Sequence, residues 1–260
     1  MKLPFDLYYS ESGNPQGLPL IFLHAFPLDH SMWDGQAQHF KDYRIIQYDL
    51  RGLGKSKSPH LQLSLEDHVD DLLKLQAYLE IEQAIWCGLS MGGYIALRAV
   101  EKYPERCKAL ILCDTRSEAD NNEGKLKRIQ GIRTVLNDEL EGFAKKFASS
   151  LLSENTLKNK PEVEQKVREM ILAQSPEAIA SAQFAMLSRT DTTSSLSKIN
   201  VPTLIIVGEK DSLIPPSLHE EMQKQIPHAK LEILPEAGHL SNLEEPALFN
   251  EKMSAFLKNL

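Results

Sequence analysis

The chain has 260 residues, 42% of them hydrophobic and 25% charged, with a formal net charge of −7. This composition suits one large globular domain or a domain with an insertion. The acidic balance argues against a nucleic-acid partner, which needs a basic face, and no run approaches the roughly 18 apolar residues of a membrane span.

The N-terminus "MKLPFDLYYSESG" has no apolar stretch of the kind a secretion signal carries. The three cysteines, Cys87, Cys107 and Cys113, form no CxxC pair and read as small buried hydrophobes. Both observations fit a cytoplasmic protein.

In chain order, "FDLYYSE" alternates weakly and predicts an edge strand. "LPLIFLHAF" and "YRIIQYDL" are short apolar runs and predict buried strands, the second closed by the loop "RGLGKSKSP". "SLEDHVDDLLKLQAYLEI" opens with an S-x-x-D capping signal, Ser64 and Asp67, and carries a helical stripe through Leu65, Val69, Leu72, Leu75 and Leu79. "QAIWCGLS" predicts a strand, "MGGYIALRAVEKYP" a helix ending near Pro104, and "KALILCDT" another strand. Strands alternating with helices, the strands apolar almost throughout, predict an α/β architecture: a mostly parallel sheet with helices on both faces.

The alternation then stops. Residues 116–197 contain no convincing strand but carry helical stripes at Leu126 to Leu136, Leu140 to Leu151 and Val163 to Ile171, and a fourth helix opens at "PEAIASAQFAML". They predict a helical lid inserted into a core made of residues 1–115 and 198–260. The strand pattern resumes with "VPTLIIVGEKD", a helix from Pro216 to Gln225, "AKLEILPEAGH", and a last helix from Pro246 to Leu257.

"CGLSMGG" lies where a strand gives way to a helix, and Gly88 to Gly92 fits G-x-S-x-G. A serine at such a turn takes strained backbone angles and projects its hydroxyl out of the sheet. Its neighbours two residues away must be small for strand and helix to approach, and both are glycine, with Gly93 beyond. Ser90 is therefore a candidate nucleophile, and a nucleophilic serine needs a base, an orienting acid and donors for an oxyanion.

Of the eight histidines, His239 follows a strand in "PEAGHLSNLEEP" and is the candidate base. His68 lies among acids on what reads as a solvated helix face, and His219 and His228 flank a short helix as surface positions. Asp211 ends the strand before that of His239 and is the first candidate acid, with Asp114, at the end of the strand after the elbow helix, as its rival. Met91 offers its N–H at a helix start, and the loop "HAFPLDHSMW" supplies a second donor, Phe26, with His24 anchoring the loop.

"DLRGLGKS" ends like a phosphate-binding loop, but position 49, where that motif needs glycine, is Asp, and no helix follows directly. It reads as a tight turn in which Asp49 and Arg51 tie loops together. No Cys/His cluster has zinc spacing, so neither a metal nor a cofactor is expected.

Taken together, "HAFP", "DLRGLGKS", "GLSMGG", "VGEKD" and "AGH" resemble the α/β-hydrolase superfamily across nearly the whole chain, least in the lid. The resemblance is closest to the small bacterial branch of 3-oxoadipate enol-lactonases, arylesterases and cofactor-free perhydrolases. It implies Ser90, Asp211 and His239 as a catalytic triad in the chain order of that fold, with Phe26 and Met91 as oxyanion donors. Ala25 departs from the glycine usual in that family and narrows the backbone choices of the oxyanion loop. Relatives acting on alkyl halides or epoxides carry Asp at the elbow, so Ser90 implies acyl chemistry.

The expectation is a hydrolase of a small-molecule carboxylic ester or lactone, with its pocket between sheet edge and lid. Candidate pocket residues are Trp33, Arg116, Phe143, Phe147, Phe184 and Met186, beside Phe26 and Met91. Arg116 would suit a carboxylate-bearing substrate such as that of an enol-lactonase. Two further readings are a slow-turnover ligand sensor that keeps the triad, and a hydrolase of carbon–carbon bonds.

Overall fold

The computed structural model describes residues 6–56, 63–137 and 139–260. His60 and the end of the "RGLGKSKSP" loop lie outside the described residues. The first half carries β1 (Tyr9–Gly13), β2 (Pro19–Leu23), α1 (Asp34–His39), β3 (Arg44–Tyr48), α2 (Leu65–Tyr78), β4 (Ala84–Leu89), α3 (Met91–Lys102) and β5 (Cys107–Cys113). Five helices follow: α4 (Asn122–Leu136), α5 (Leu140–Ser150), α6 (Glu154–Asn159), α7 (Pro161–Leu172) and α8 (Pro176–Leu187). The chain closes with β6 (Thr203–Gly208), α9 (Pro216–Gln225), β7 (Lys230–Leu234), α10 (Ser241–Glu244) and α11 (Pro246–Leu257).

Among the described residues the strands form one sheet in the order β1-β3-β2-β4-β5-β6-β7. Every neighbour pair is parallel except β1 with β3, which is antiparallel. Every residue of β4 and β6 is buried, while β1 is half-buried to exposed. This is the sequence pattern made physical: strands covered on both faces are apolar almost throughout, and the weakly alternating one sits at the edge. The helices α2 and α3 pack on each other, α3 also lies on β2, β4 and β5, and α11 packs on α1.

The S-x-x-D signal is a full capping box, with Ser64 Oγ accepting the Asp67 N–H at 3.3 Å and Asp67 Oδ2 accepting the Ser64 N–H at 2.8 Å. The stretch "HAFPLDHSMW", read as loop, ends in a 3-10 turn (His30–Trp33) that runs into α1. The short helix α6 also escaped the pattern, since six residues carry too little periodicity to register. Trp33, a candidate pocket residue, belongs to the core instead. It is fully buried, stacked on Phe22 at 4.8 Å and tilted against Phe249 at 6.0 Å.

Between β5 and β6, α4 packs on α8 and α5, and α5 packs on α7. Hydrogen bonds tie these helices to the rest of the chain, among them the His239 N–H to the Leu151 carbonyl and the Ser153 N–H to Glu244 Oε2, each at 2.9 Å. Their buried apolar residues join the same core as the sheet.

Candidate active site

Ser90 sits between β4 and α3 with φ 53° and ψ −112°, a left-handed φ that costs energy for any side-chain-bearing residue. Its N–H donates to the Cys113 carbonyl at 2.9 Å, and its carbonyl accepts the Thr115 hydroxyl at 2.8 Å. A Cβ on Gly88 would overlap the Gly92 carbonyl, and one on Gly92 would overlap the Leu23 carbonyl. The two glycines are what allow β4, α3 and β2 to meet so closely around a strained serine.

The Ser90 hydroxyl lies 2.9 Å from His239 Nε2. The other ring nitrogen, Nδ1, lies 2.7 Å from Asp211 Oδ2. Asp211 is itself held, its Oδ1 accepting the N–H groups of Leu213 and Ile214 at 2.9 Å each. Burial opposes a charged ring at His239, but the charge and hydrogen bond of Asp211 outweigh it and hold the imidazole above the ordinary histidine value.

Asp114 does not reach His239 by a hydrogen bond. Its Oδ1 accepts the Gly208 N–H at 2.9 Å and its Oδ2 accepts the Ser241 hydroxyl. Burial, reinforced by the nearby Asp211 charge, pushes its carboxyl well above the usual range. Of the oxyanion candidates, Met91 opens α3, so its N–H has no partner within the helix. Phe26 precedes Pro27 across a cis peptide bond, and its own N–H makes no hydrogen bond within the described residues. His24 anchors that loop as expected: its Nε2 accepts the Leu50 N–H at 2.8 Å and its Nδ1 donates to the Ala25 carbonyl at 3.0 Å.

Two histidines depart from expectation. His68 is fully buried in α2, not on a solvated face, and neither ring nitrogen has a hydrogen-bond partner among the described residues. Burial, with His24 and Arg51 nearby, pushes it down to about 4. His219 is also fully buried. Its Nε2 accepts the Thr115 N–H at 2.9 Å, pinning the chain just past Asp114, and burial lowers it to about 4. His228 is exposed.

The turn after β3 follows its sequence reading. Asp49 accepts the N–H groups of His30 at 2.8 Å and Lys55 at 2.7 Å, and Arg51 pairs with Asp71. Asp29, His30 and Asp49 bring one ligand-type atom each within 4.8 Å of one another. His30 Nδ1 lies 2.7 Å from Asp49, and Asp29 accepts from Ser31, so the group ties the loop to itself.

A cavity of about 120 Å³ opens beside Ser90 and His239. Phe26, Phe147, Leu151 and Met186 give it an apolar wall, and Tyr94, Arg116, Arg128 and Gln183 its polar side. Phe147 meets Phe26 edge-on at 5.6 Å and stacks on Phe143 at 5.2 Å. Phe143 itself lines a wider outer cleft of about 520 Å³ that shares Arg116, Arg128 and Phe147 with the inner cavity. Phe184 is 47% exposed and lines neither space, and the Met91 side chain is buried under the elbow. A groove of about 460 Å³ near Ser12, Asn14 and Lys41 shares no lining residue with the cavity beside Ser90.

Sequence reasoning missed Tyr94, Arg128 and Gln183 in the wall, and it missed Glu244. That buried carboxylate accepts the N–H groups of Gly238 at 2.9 Å, Leu240 at 3.2 Å and Ser153 at 2.9 Å, and so fixes the backbone on both sides of His239. Its only sequence signal is its place a few residues after "AGH".

The family model of the alpha/beta hydrolase fold matches residues 19–246. The chain is 30% identical over 253 residues to 3-oxoadipate enol-lactonase 2 of Acinetobacter baylyi, covering 97% of this chain and 93% of that protein. A thermophilic esterase from Thermogutta terrifontis, solved with malate bound, superposes with a TM-score of 0.93 at 37% identity over 97% of this chain and 93% of that one. The enol-lactonase of Burkholderia xenovorans superposes with a TM-score of 0.90 at 26% identity over 97% and 96%. With its mostly parallel sheet, its serine at the strand-to-helix elbow and these likenesses over nearly its full length, the chain belongs to the α/β-hydrolase family.

Proposed function

We propose that the protein hydrolyses a small carboxylic ester or lactone through an acyl-Ser90 intermediate. The observation that carries this reading is the continuous hydrogen-bonded run from Asp211 through His239 to Ser90. His239 Nε2 takes the hydroxyl proton as Ser90 Oγ bonds to the substrate carbonyl carbon. The N–H groups of Phe26 and Met91 hold the resulting oxyanion. The carbon–oxygen bond to the alcohol then breaks, and His239 returns its proton to the leaving alkoxide. Water repeats the sequence, releasing the acid and restoring Ser90. Asp211 keeps the ring in the tautomer that accepts at Nε2 and stabilises it when charged.

A lactone differs only in that its leaving alcohol stays tethered. The names of the relatives, esterases and enol-lactonases, support both forms of the reaction. Residues 116–197 serve as the lid, with α5 and α8 supplying the wall residues Phe147, Gln183 and Met186.

The test is multiple-turnover hydrolysis of a short-chain aryl acetate by wild type and Ser90→Ala. The expected result is steady turnover that falls by at least ~10³-fold in the variant. Equal rates would refute the reading. A stable adduct without turnover would favour a ligand sensor.

A further inference from the structure

Behind Arg116 and Arg128, which line the cavity, lies a cluster of one carboxylate, Asp120, and three guanidiniums, the third being Arg189. Asp120, buried, accepts Arg116 Nη2 at 2.5 Å on Oδ1 and Arg128 Nε on Oδ2, and Arg189 Nη1 lies 3.0 Å from its Oδ1. Burial disfavours a charge on Asp120, but the arginines outweigh it and hold the carboxyl below its usual range. One full negative charge thus faces three arginines, which do not deprotonate in proteins.

Arg189 is accounted for within the protein. It is buried over the Tyr94 ring at 4.2 Å, and its N–H groups donate to the carbonyls of Met186 at 3.0 Å and Glu118 at 2.6 Å. Asp191 also feels its charge, but lies outward and accepts the N–H groups of Ala119 and Thr193.

Arg116 and Arg128 each bond to Asp120 but keep further donors without a good acceptor among the described residues. Arg116 Nε is buried without a hydrogen-bond partner among the described residues. Arg128 Nη1 has only the Met186 sulfur at 3.4 Å, a weak acceptor. Both line the cavity that holds Ser90 and His239, at its junction with the outer cleft. A buried N–H left unpaired is costly, and beside surplus positive charge an anionic acceptor satisfies it best.

We propose that Arg116 and Arg128 form a carboxylate subsite, so that the substrate carries a free carboxylate apart from the carbonyl that Ser90 attacks. This deepens the hydrolase reading above and rests on it. Guanidinium forks match the two oxygens of a carboxylate and orient it as well as attract it. An ether or hydroxyl at the same place would leave the charge uncompensated.

The test compares kcat/KM for monomethyl glutarate with that for dimethyl glutarate. A second pair, carboxymethyl butyrate against its methyl ester, places the carboxylate on the leaving side instead. Wild type is expected to prefer the charged member of one pair by about 10- to 100-fold, mainly through KM. In Arg128→Gln that ratio is expected to fall to within about threefold of unity, and Arg128→Lys to recover part of it. Glutarate is expected to inhibit neutral-ester hydrolysis by wild type competitively, and glutaramide not to; this arm needs no variant. Ser90-dependent turnover of neutral esters, with no charged ester preferred and no inhibition by glutarate, would overturn the subsite and leave the hydrolase reading intact. Turnover that ignores Ser90→Ala would overturn the hydrolase reading itself.

Discussion

Asp114 and Asp211 follow neighbouring strands, yet it is the Asp211 carboxylate that meets His239, at 2.7 Å, while Asp114 turns to the Gly208 N–H and the Ser241 hydroxyl. The two acids that compete in the sequence are thereby separated by their partners. Asp211→Asn is expected to lower kcat by about 10³- to 10⁴-fold, because the amide cannot hold the required imidazole tautomer. Asp114→Asn resembles the protonated acid that burial and Asp211 favour at this position, and is expected to lose less than about tenfold. Steady-state kinetics of both variants on one neutral ester decides the assignment, and the opposite ranking would transfer it to Asp114.

The pH profile follows from the state of His239. Proton abstraction needs the neutral ring, and Asp211 raises the ring's pKa above 6.5 despite burial. The acid limb of kcat/KM is therefore expected to have unit slope and a midpoint above pH 6.5, activity falling as pH drops through it. Asp211→Asn removes the largest of the influences that raise this pKa, so the residual activity is expected to titrate at lower pH. Initial rates measured from pH 5 to 9 check both statements.

Glu244 fixes the backbone on both sides of His239, the base of the proposed reaction, without touching its ring. Glu244→Gln replaces one acceptor oxygen with a donor that faces an N–H group. A displacement of order 1 Å in such a framework lowers turnover by about 10²-fold. The expected signature is a loss in kcat with little change in KM and a retained circular dichroism spectrum. An unchanged kcat would make Glu244 purely structural.

Strand-and-helix alternation and the elbow are legible because the buried parallel strands are apolar at nearly every residue and because Gly88 and Gly92 are demanded by sterics. The errors have physical causes too. The acidic neighbours of His68 suggest a solvated face, yet it lies three residues after Leu65 and four before Leu72, on the buried stripe itself. Phe184 is an apolar lid residue and a candidate for the pocket wall, but α8 is buried around most of its circumference, so periodicity there cannot say which side chain faces out. Arg116 was visible as one cation in a loop. Arg128 and Arg189 join it only when α4 and the end of α8 fold over the same carboxylate, Asp120.

His68 also sets a stability expectation. Its folded pKa is depressed to about 4, so between pH 6.5 and 4 the unfolded chain binds a proton that the folded one refuses. Stability therefore falls as pH falls through that window. His68→Leu removes this linkage together with two unpaired buried nitrogens. Its stability relative to wild type is expected to improve by about 2 kcal/mol between pH 8 and pH 5. Urea unfolding at the two pH values measures the difference, and a constant offset would show that His68 keeps its ordinary titration in the fold.

The strands β5 and β6 are hydrogen-bonded neighbours, Leu110 opposite Thr203 and Cys113 opposite Ile206, although the whole α4–α8 layer is threaded between them. Closing a chain segment costs only about 0.6 kcal/mol more each time its length doubles. The sheet is thus nearly indifferent to what lies between these two strands. Ser90, Asp211 and His239 are encoded outside that interval, and Arg116, Arg128 and Phe147 inside it. Under the proposed function, changes to the inner stretch that keep the Leu151 and Ser153 bonds beside His239 can alter substrate preference while the reaction is retained.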